Sequence, residues 1–259
     1  MMAVLSAQFI KSRLGLALIG IGALIALWAL GIYYLQQSFL LAAALGPLEA
    51  IDSLYQLISN NTIGWHAFMS MKRVAVSLAI ALALGVPIGL AVGSSQALDK
   101  STSAAFQFLR MISPLSWMPI AVMLFGVGDA PIYFLLSFAA VWPIILNTAA
   151  GVRQLNPQWR SLARSLSATR WETLRHVVLP GVLGHILTGV RLAIGVIWIV
   201  LVPCEMLGIS SGLGYFILDT RDRLAYSELM AVILLIGALG LTLDSTAQWV
   251  HRRYSRTGL

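Results

Sequence analysis

Apolar residues run along this chain in long unbroken stretches, near 14–35, 71–94, 104–126, 130–150, 181–206 and 228–250, separated by short polar segments. Each stretch reaches, or nearly reaches, the about 20 helical residues that cross a hydrocarbon core of about 30 Å. The runs are continuous rather than alternating, and a barrel strand has only about 10 residues, so strands are not expected. The pattern predicts an all-α integral membrane protein with about six transmembrane helices. The first run follows Lys11 and Arg13 and resembles a signal peptide, with Ala42-Ala43-Ala44 as a candidate cleavage site. Its apolar core exceeds the roughly 7–15 residues of a signal, which favours a retained first span.

Composition agrees with a membrane solvent. Of 259 residues 59% are apolar and 10% charged, whereas a soluble domain carries about a quarter of its residues as charged. A soluble enzyme is thereby excluded. One cysteine, Cys204, leaves no internal disulfide or Cys-rich metal site. The net charge of +7 comes from seventeen basic and ten acidic residues scattered between apolar runs, not gathered on a nucleic-acid stripe. With both termini inside, the cytoplasmic set is Lys11, Arg13, Lys100, Arg153, Arg160, Arg164, Arg170, Arg175, Arg252, Arg253 and Arg256. The outer set is Lys72, Arg73, Arg221 and Arg223. Eleven against four places the polar loop 151–180 in the cytoplasm.

Several runs are interrupted. Gly85, Gly89 and Gly93 make two overlapping GxxxG spacings, which let helix backbones approach closely. The third run carries Ser113-Pro114 and Pro119, and the fourth Trp142-Pro143. Proline removes a helical hydrogen bond, and broken backbone at membrane depth survives only inside protein or along a cavity. The charges read as intramembrane are Arg110, Arg191, Glu205 and Asp244. Arg110 has two readings: a path-lining cation, or a side chain that snorkels to the headgroups. Arg191 lies at a depth close to that of Asp244, so a bridge between the fifth and sixth spans is the alternative to a path role. Glu205, beside Pro203 and Cys204, is expected to face water or the path. Catalytic motifs are absent: no H-E-x-x-H, no G-x-S-x-G, and no lysine placed after a glycine as a P-loop requires. ATP, if it drives this protein, binds another chain.

The loop 151–180 carries the strongest signal. Pro157 suits a helix start. Leu162, Ala163 and Leu166 then share a face, a break falls near Ser167–Thr169, and Trp171, Leu174 and Val178 form a second helical set ending at Pro180. Such a helix can insert into a groove on a soluble partner or lie flat on the lipid surface. The loop resembles the coupling loop of permease subunits of binding-protein-dependent ABC importers, in Ala163, Ser165-Leu166, Ala168, Arg170-Trp171 and Val178-Leu179-Pro180. Ser161 stands for the usual Glu and Ser167 for the usual Gly. Further stretches resemble the branch importing nitrate, sulfonates, taurine and bicarbonate: 108–119, 142–148, 187–195 and 205–215.

The resemblance implies a type I importer permease that is not an enzyme. It implies a homodimer, two cytoplasmic ATPase subunits holding ATP and Mg, an extracytoplasmic solute-binding protein, a small anionic cargo, and no cofactor on this chain. It divides the chain into a peripheral segment 1–63, a core 64–250 and a basic tail 251–259, in a bacterial plasma membrane. ATPase coupling falls to Ser161, Leu162, Ala163, Leu166, Ser167, Ala168, Arg170, Trp171 and Pro180. Ser211, Gly212, Gly214 and Tyr215 fall at the outer mouth, where a binding protein docks. Arg110, Ser113, Pro114, Ser116, Asn147, Arg191 and Glu205 are the candidate path, charged and neutral donors suited to an oxyanion. The alternative is a secondary transporter working without an ATPase, for which an internal repeat and midplane ion ligands are expected. No convincing repeat is present.

Overall fold

A computed structural model describes residues 13–38 and 40–256. No strand occurs among the described residues. Residues up to Thr62 together with Asp219–Leu235 form one compact unit, and Ile63–Leu218 with Ile236 onward form a second.

The first unit opens with α1 (Arg13–Leu35), a short 3-10 segment (Leu40–Leu45) and α2 (Pro47–Ser59). The Trp28 indole N–H on α1 donates to Leu45 O at 3.1 Å, hooking the segment back against that helix; the expected first span is present as a shorter apolar helix over Ile19–Leu35. Pro47 starts α2, where its missing N–H costs nothing, and Asn60 caps the other end. Here Arg223 is paired with Asp219 and Glu228, at 2.9 and 3.0 Å.

The second unit contains α3 (Thr62–Ser94), α4 (Gln96–Met111), α5 (Met118–Phe125), α6 (Asp129–Gln154), α7 (Pro157–Ser165) and α8 (Arg170–Glu205). α9 (Leu213–Asp222) and α10 (Tyr226–Arg256) follow, each with part of its length in the first unit. α3, α6, α8 and α10 are each long and apolar enough to cross a bilayer. The third run departs from its expected form: α4 and α5 meet at an 85° bend rather than making one helix over 104–126. Ser113, which precedes Pro114, is extended, as a following proline ring requires. Salt bridges show which ends the bent pair joins. Asp99 in the first turn of α4 meets Arg153 near the end of α6 at 2.7 Å. Phe125, the last residue of α5, lies four positions before Asp129, which opens α6. The two ends of the pair therefore lie toward opposite ends of α6, as those of a broken span do.

The core sits between α3, α6 and α8. The GxxxG spacing packs as its chemistry demands: a Cβ on Gly85 would fall 2.8 Å from Ile144 Cγ2, one on Gly89 2.6 Å from Thr148 Cβ, and one on Gly93 2.7 Å from Ala149 O. Only hydrogen at these positions lets the two backbones meet. Ile132, Leu135, Leu136, Ile144, Ile197 and Leu201 fill the remaining volume. Pro87, Pro143 and Pro203 lie inside helices that continue past them.

The loop 151–180 is shorter than its sequence suggests, because α6 runs to Gln154 and α8 begins at Arg170. Pro180 does not end the second helical set; α8 continues through it to Glu205. The helix accommodates the proline with a π turn over Leu174–Val178. Leu179 N–H reaches back five residues to Leu174 O, and Pro180 follows with no N–H to satisfy.

Candidate functional site

Two clusters at opposite ends of α8 carry the chemistry. The first is centred on Arg73. α3 begins at Thr62, nine residues before the apolar run read from sequence, so Arg73 is not in an outer loop but within a helix. It is 1% exposed, the most buried cation among the described residues, whereas only Arg110 and Arg191 were expected inside spans. Its Nη1 donates to Glu205 Oε1 at 2.6 Å and to Ser211 O at 2.8 Å. Nε and Nη2 both donate to Asp129 Oδ1, at 2.9 and 2.7 Å, and Nη2 also reaches Ser211 Oγ at 3.1 Å. These contacts use all five guanidinium N–H groups, leaving none for a passing ligand.

The carboxylates are held equally well. Ser70 Oγ donates to both Glu205 oxygens at 2.8 Å and accepts from Leu213 N–H at 2.9 Å. Gly214 N–H donates to Glu205 Oε2 at 2.9 Å. Glu205 thus closes the N-terminus of α9, and Asp129 lies in the first turn of α6, where a helix favours negative charge. Glu205 itself is 0% exposed, so it does not face water or an open path, as its place in the sequence suggests.

Ser211, Gly212, Gly214 and Tyr215, expected from sequence at the outer mouth, wrap this cluster. Gly212 has φ +115°, and a Cβ there would lie 2.5 Å from Arg73 Nη1; one on Gly214 would strike Val202 O. Gly212 N–H donates to His66 Nδ1 at 3.2 Å, and the His66 and Tyr215 rings stack at 5.8 Å. The two glycines in Ser211-Gly-Leu-Gly-Tyr215 are there so that backbone can close over buried charge.

The second cluster is the segment 155–173. Asn156 Oδ1 accepts from Gln158 N–H at 2.9 Å and Pro157 takes the first turn, which starts α7 as expected. The end of α7 is a Schellman turn: Ala168 N–H bonds Ala163 O and Ser167 N–H bonds Arg164 O, both at 3.0 Å. Ser167 takes φ +55°, the left-handed conformation glycine prefers. Thr169 and Glu172 then form a capping box that starts α8. Ser161, at the usual Glu position, is exposed and its hydroxyl turns back to Pro157 O at 3.3 Å. Ser167→Gly is expected to relieve about 1 kcal/mol and slow amide exchange at Ser167 and Ala168 roughly fivefold, while Ser167→Val speeds it. Exchange rates unchanged in both variants would refute the strain assigned to this position.

The expected shared face of Leu162, Ala163 and Leu166 splits in the structure. Ala163 is buried at 6% exposure, while Leu162 and Leu166 stand out at 61% and 74%, as does Trp171 at 66%. A short helix has too few residues to cover both sides, so Ala163 packs inward and its neighbours project. Trp159, Leu162, Ala163, Leu166, Val177 and Gly181 line a largely apolar hollow of about 510 Å³. Ala168, Glu172, Thr173, His176 and Pro180 complete its rim, and Arg170 is exposed.

The candidate path residues are not all brought together. Arg110, Ser113, Pro114 and Ser116 flank the break between α4 and α5. α4 begins at Gln96, so Arg110 stands about 21 Å along its helix instead of the two turns that snorkelling would need. It borders a cavity of about 330 Å³ with Gln107, Ser103 and Thr102. Asn147 donates to Pro143 O of its own helix at 2.8 Å. Arg191 pairs with Asp244 at 3.0 Å, which Gln248 also holds at 2.6 Å, so the bridge read from matching depths is formed.

Residues 85–256 match the family model described as the binding-protein-dependent transport system inner membrane component. This chain belongs to that family. The permease is 40% identical over 190 residues to the bicarbonate transport system permease protein CmpB of Synechococcus elongatus, covering 73% of this chain and 68% of the relative. It is 31% identical over 220 residues to the nitrate import permease protein NrtB of Leptolyngbya laminosa, covering 82% and 79%. It is 30% identical over 210 residues to the putative aliphatic sulfonates transport permease protein SsuC of Escherichia coli, covering 81% and 80%. Its fold is similar to the MetNI methionine ABC transporter in inward-facing conformations, with a TM-score of 0.62 at 15% identity over 73% of this chain and 94% of that one. The permease is thus a membrane-spanning subunit of an ABC importer.

Arg73, Asp129, Ser70 and His66 were missed by sequence reasoning. A signal was present: Ile63, Trp65, Ala67, Phe68 and Met69 extend the apolar run upstream of Lys72-Arg73, which turns an apparent flank into the interior of a longer helix.

Proposed function

We propose that the permease works as a homodimer with two cytoplasmic ATPase subunits and an extracytoplasmic solute-binding protein, and carries a small oxyanion of the nitrate, bicarbonate or sulfonate type inward. Both termini lie in the cytoplasm, as the bias of loop charge favours. The observation that carries the coupling role is the projecting apolar edge of Leu162, Leu166 and Trp171 around the hollow at α7. Exposed apolar groups beyond the spans are the mark of a protein contact. ATP-driven closure of the partners then moves these segments and swings the spans from inward-facing to outward-facing.

Arg110 supports an anionic cargo. It stands at a broken helix, has no ion pair or hydrogen bond among the described residues, and borders a cavity lined by neutral donors and by the mutually paired Asp99 and Arg153. Ser113 and Ser116 lie on the same break, where a brief charge-assisted contact suits binding and release. The names of the relatives, for bicarbonate, nitrate and sulfonates, point the same way. Arg110→Ala is expected to raise the anion concentration for half-maximal uptake roughly tenfold, the worth of one lost charge-assisted contact. Insertion and ATPase association stay normal. Unchanged uptake of labelled nitrate, bicarbonate and taurine alike would remove Arg110 from the path.

A further inference from the structure

We infer that α2 is an interfacial helix seated on the bilayer surface through one exposed apolar stripe. At about 100° per residue, its positions after Pro47 divide into three sectors. Ala50 and Leu57 are buried, with the half-buried Ser53 and Leu54 beside them. Glu49, Asp52, Gln56 and Ser59 form an exposed polar sector. Leu48, Ile51, Tyr55 and Ile58 form the third, exposed at 77%, 57%, 72% and 57%. Three sectors require three neighbours: protein, water and a third that is apolar.

Two further observations identify the third as lipid. α2 hangs in a 26-residue connection between α1 and α3, from Gln36 to Asn61, and Asn60 and Asn61 alone separate it from α3, which crosses the bilayer. The apolar flank of a span thus lies close by in the chain. Trp28, whose indole binds Leu45 O, sits seven residues before the end of α1, about 10 Å below it. The chain entering α2 is therefore folded back alongside α1 beside a tryptophan, a residue that gathers at headgroup depth. Residues 47–59 contain no lysine or arginine, so the seat is apolar and does not rest on anionic lipid.

Single-cysteine variants test this in the assembled transporter, because the native Cys204 is fully buried. Nitroxide labels are placed by Ile51→Cys, Tyr55→Cys, Ile58→Cys, Asp52→Cys and Gln56→Cys in phosphatidylcholine vesicles. Oxygen is expected to collide with the labels at 51, 55 and 58 several-fold more often, relative to a nickel chelate, than with those at 52 and 56. Adding phosphatidylglycerol leaves that ratio unchanged. Equal ratios at all five positions would make the stripe water-facing. Shielding of 51, 55 and 58 from both quenchers would mean that protein covers it. Either result overturns the proposal.

Discussion

Arg73→Met is expected to destabilise the permease by about 3–5 kcal/mol, the cost of leaving the buried Glu205 carboxylate without its cation. Glu205, at 0% exposure, has no water to turn to, whereas Asp129, with its side chain 32% exposed, does. Glu205→Met, which leaves Arg73 charged, belongs in the same range. The double variant Arg73→Met with Glu205→Met is expected to lose clearly less than the sum, since each change removes the charge that the other strands. Arg73→Lys keeps the charge but has three donors in place of five, and one ammonium cannot reach Asp129, Glu205 and Ser211 together. It is expected to fall between wild type and Arg73→Met. Thermal unfolding of the detergent-solubilised transporter measures all four. Strictly additive losses, or an Arg73→Met permease as stable as the wild type, would mean that the cluster does not clamp the ends of α6 and α8.

Leu166→Asp is expected to abolish ATPase association while leaving insertion and fold intact. At 74% exposure the new carboxylate is solvated in the free permease and becomes buried and unpaired only when a partner covers it, at several kcal/mol. Leu162→Asp acts the same way. Ala163→Asp does not, because that side chain faces inward at 6% exposure and the charge would unfold the turn itself. Its expected outcome is low yield, which separates loss of fold from loss of coupling. The measurement is co-purification of the ATPase with each variant, followed by uptake. A Leu166→Asp permease that retains its ATPase and transports normally would assign this edge to the lipid surface instead.

The importer reading and the clamp therefore stand on different grounds. α7 was readable because its signals are local: proline at its start, apolar spacing over one or two turns, and serine where glycine is usual. The last became meaningful only with φ +55° at Ser167, which shows why glycine suits the site. Local signals also misled. Pro180 looked like a terminator, and a π turn five residues long removes that constraint without changing composition. Leu162, Ala163 and Leu166 share a helical stripe by spacing, yet spacing alone does not say which edge of the stripe meets protein.

What the sequence by itself determined is the solvent, the helical class, the loop charge bias and the start of the short helix α7. Each follows from hydrophobicity or from contacts within about one turn, and such terms are additive along the chain. Tertiary structure decided which charges are neutralised. Arg73 meets Asp129 across 56 positions and Glu205 across 132, and Arg191 meets Asp244 across 53. A charge within an apolar stretch signals only that burial is costly; the partner that offsets the cost is set by how helices pack. That packing turned Arg73 from an apparent loop cation into the centre of a clamp, and Glu205 from a path residue into its sealed counter-ion.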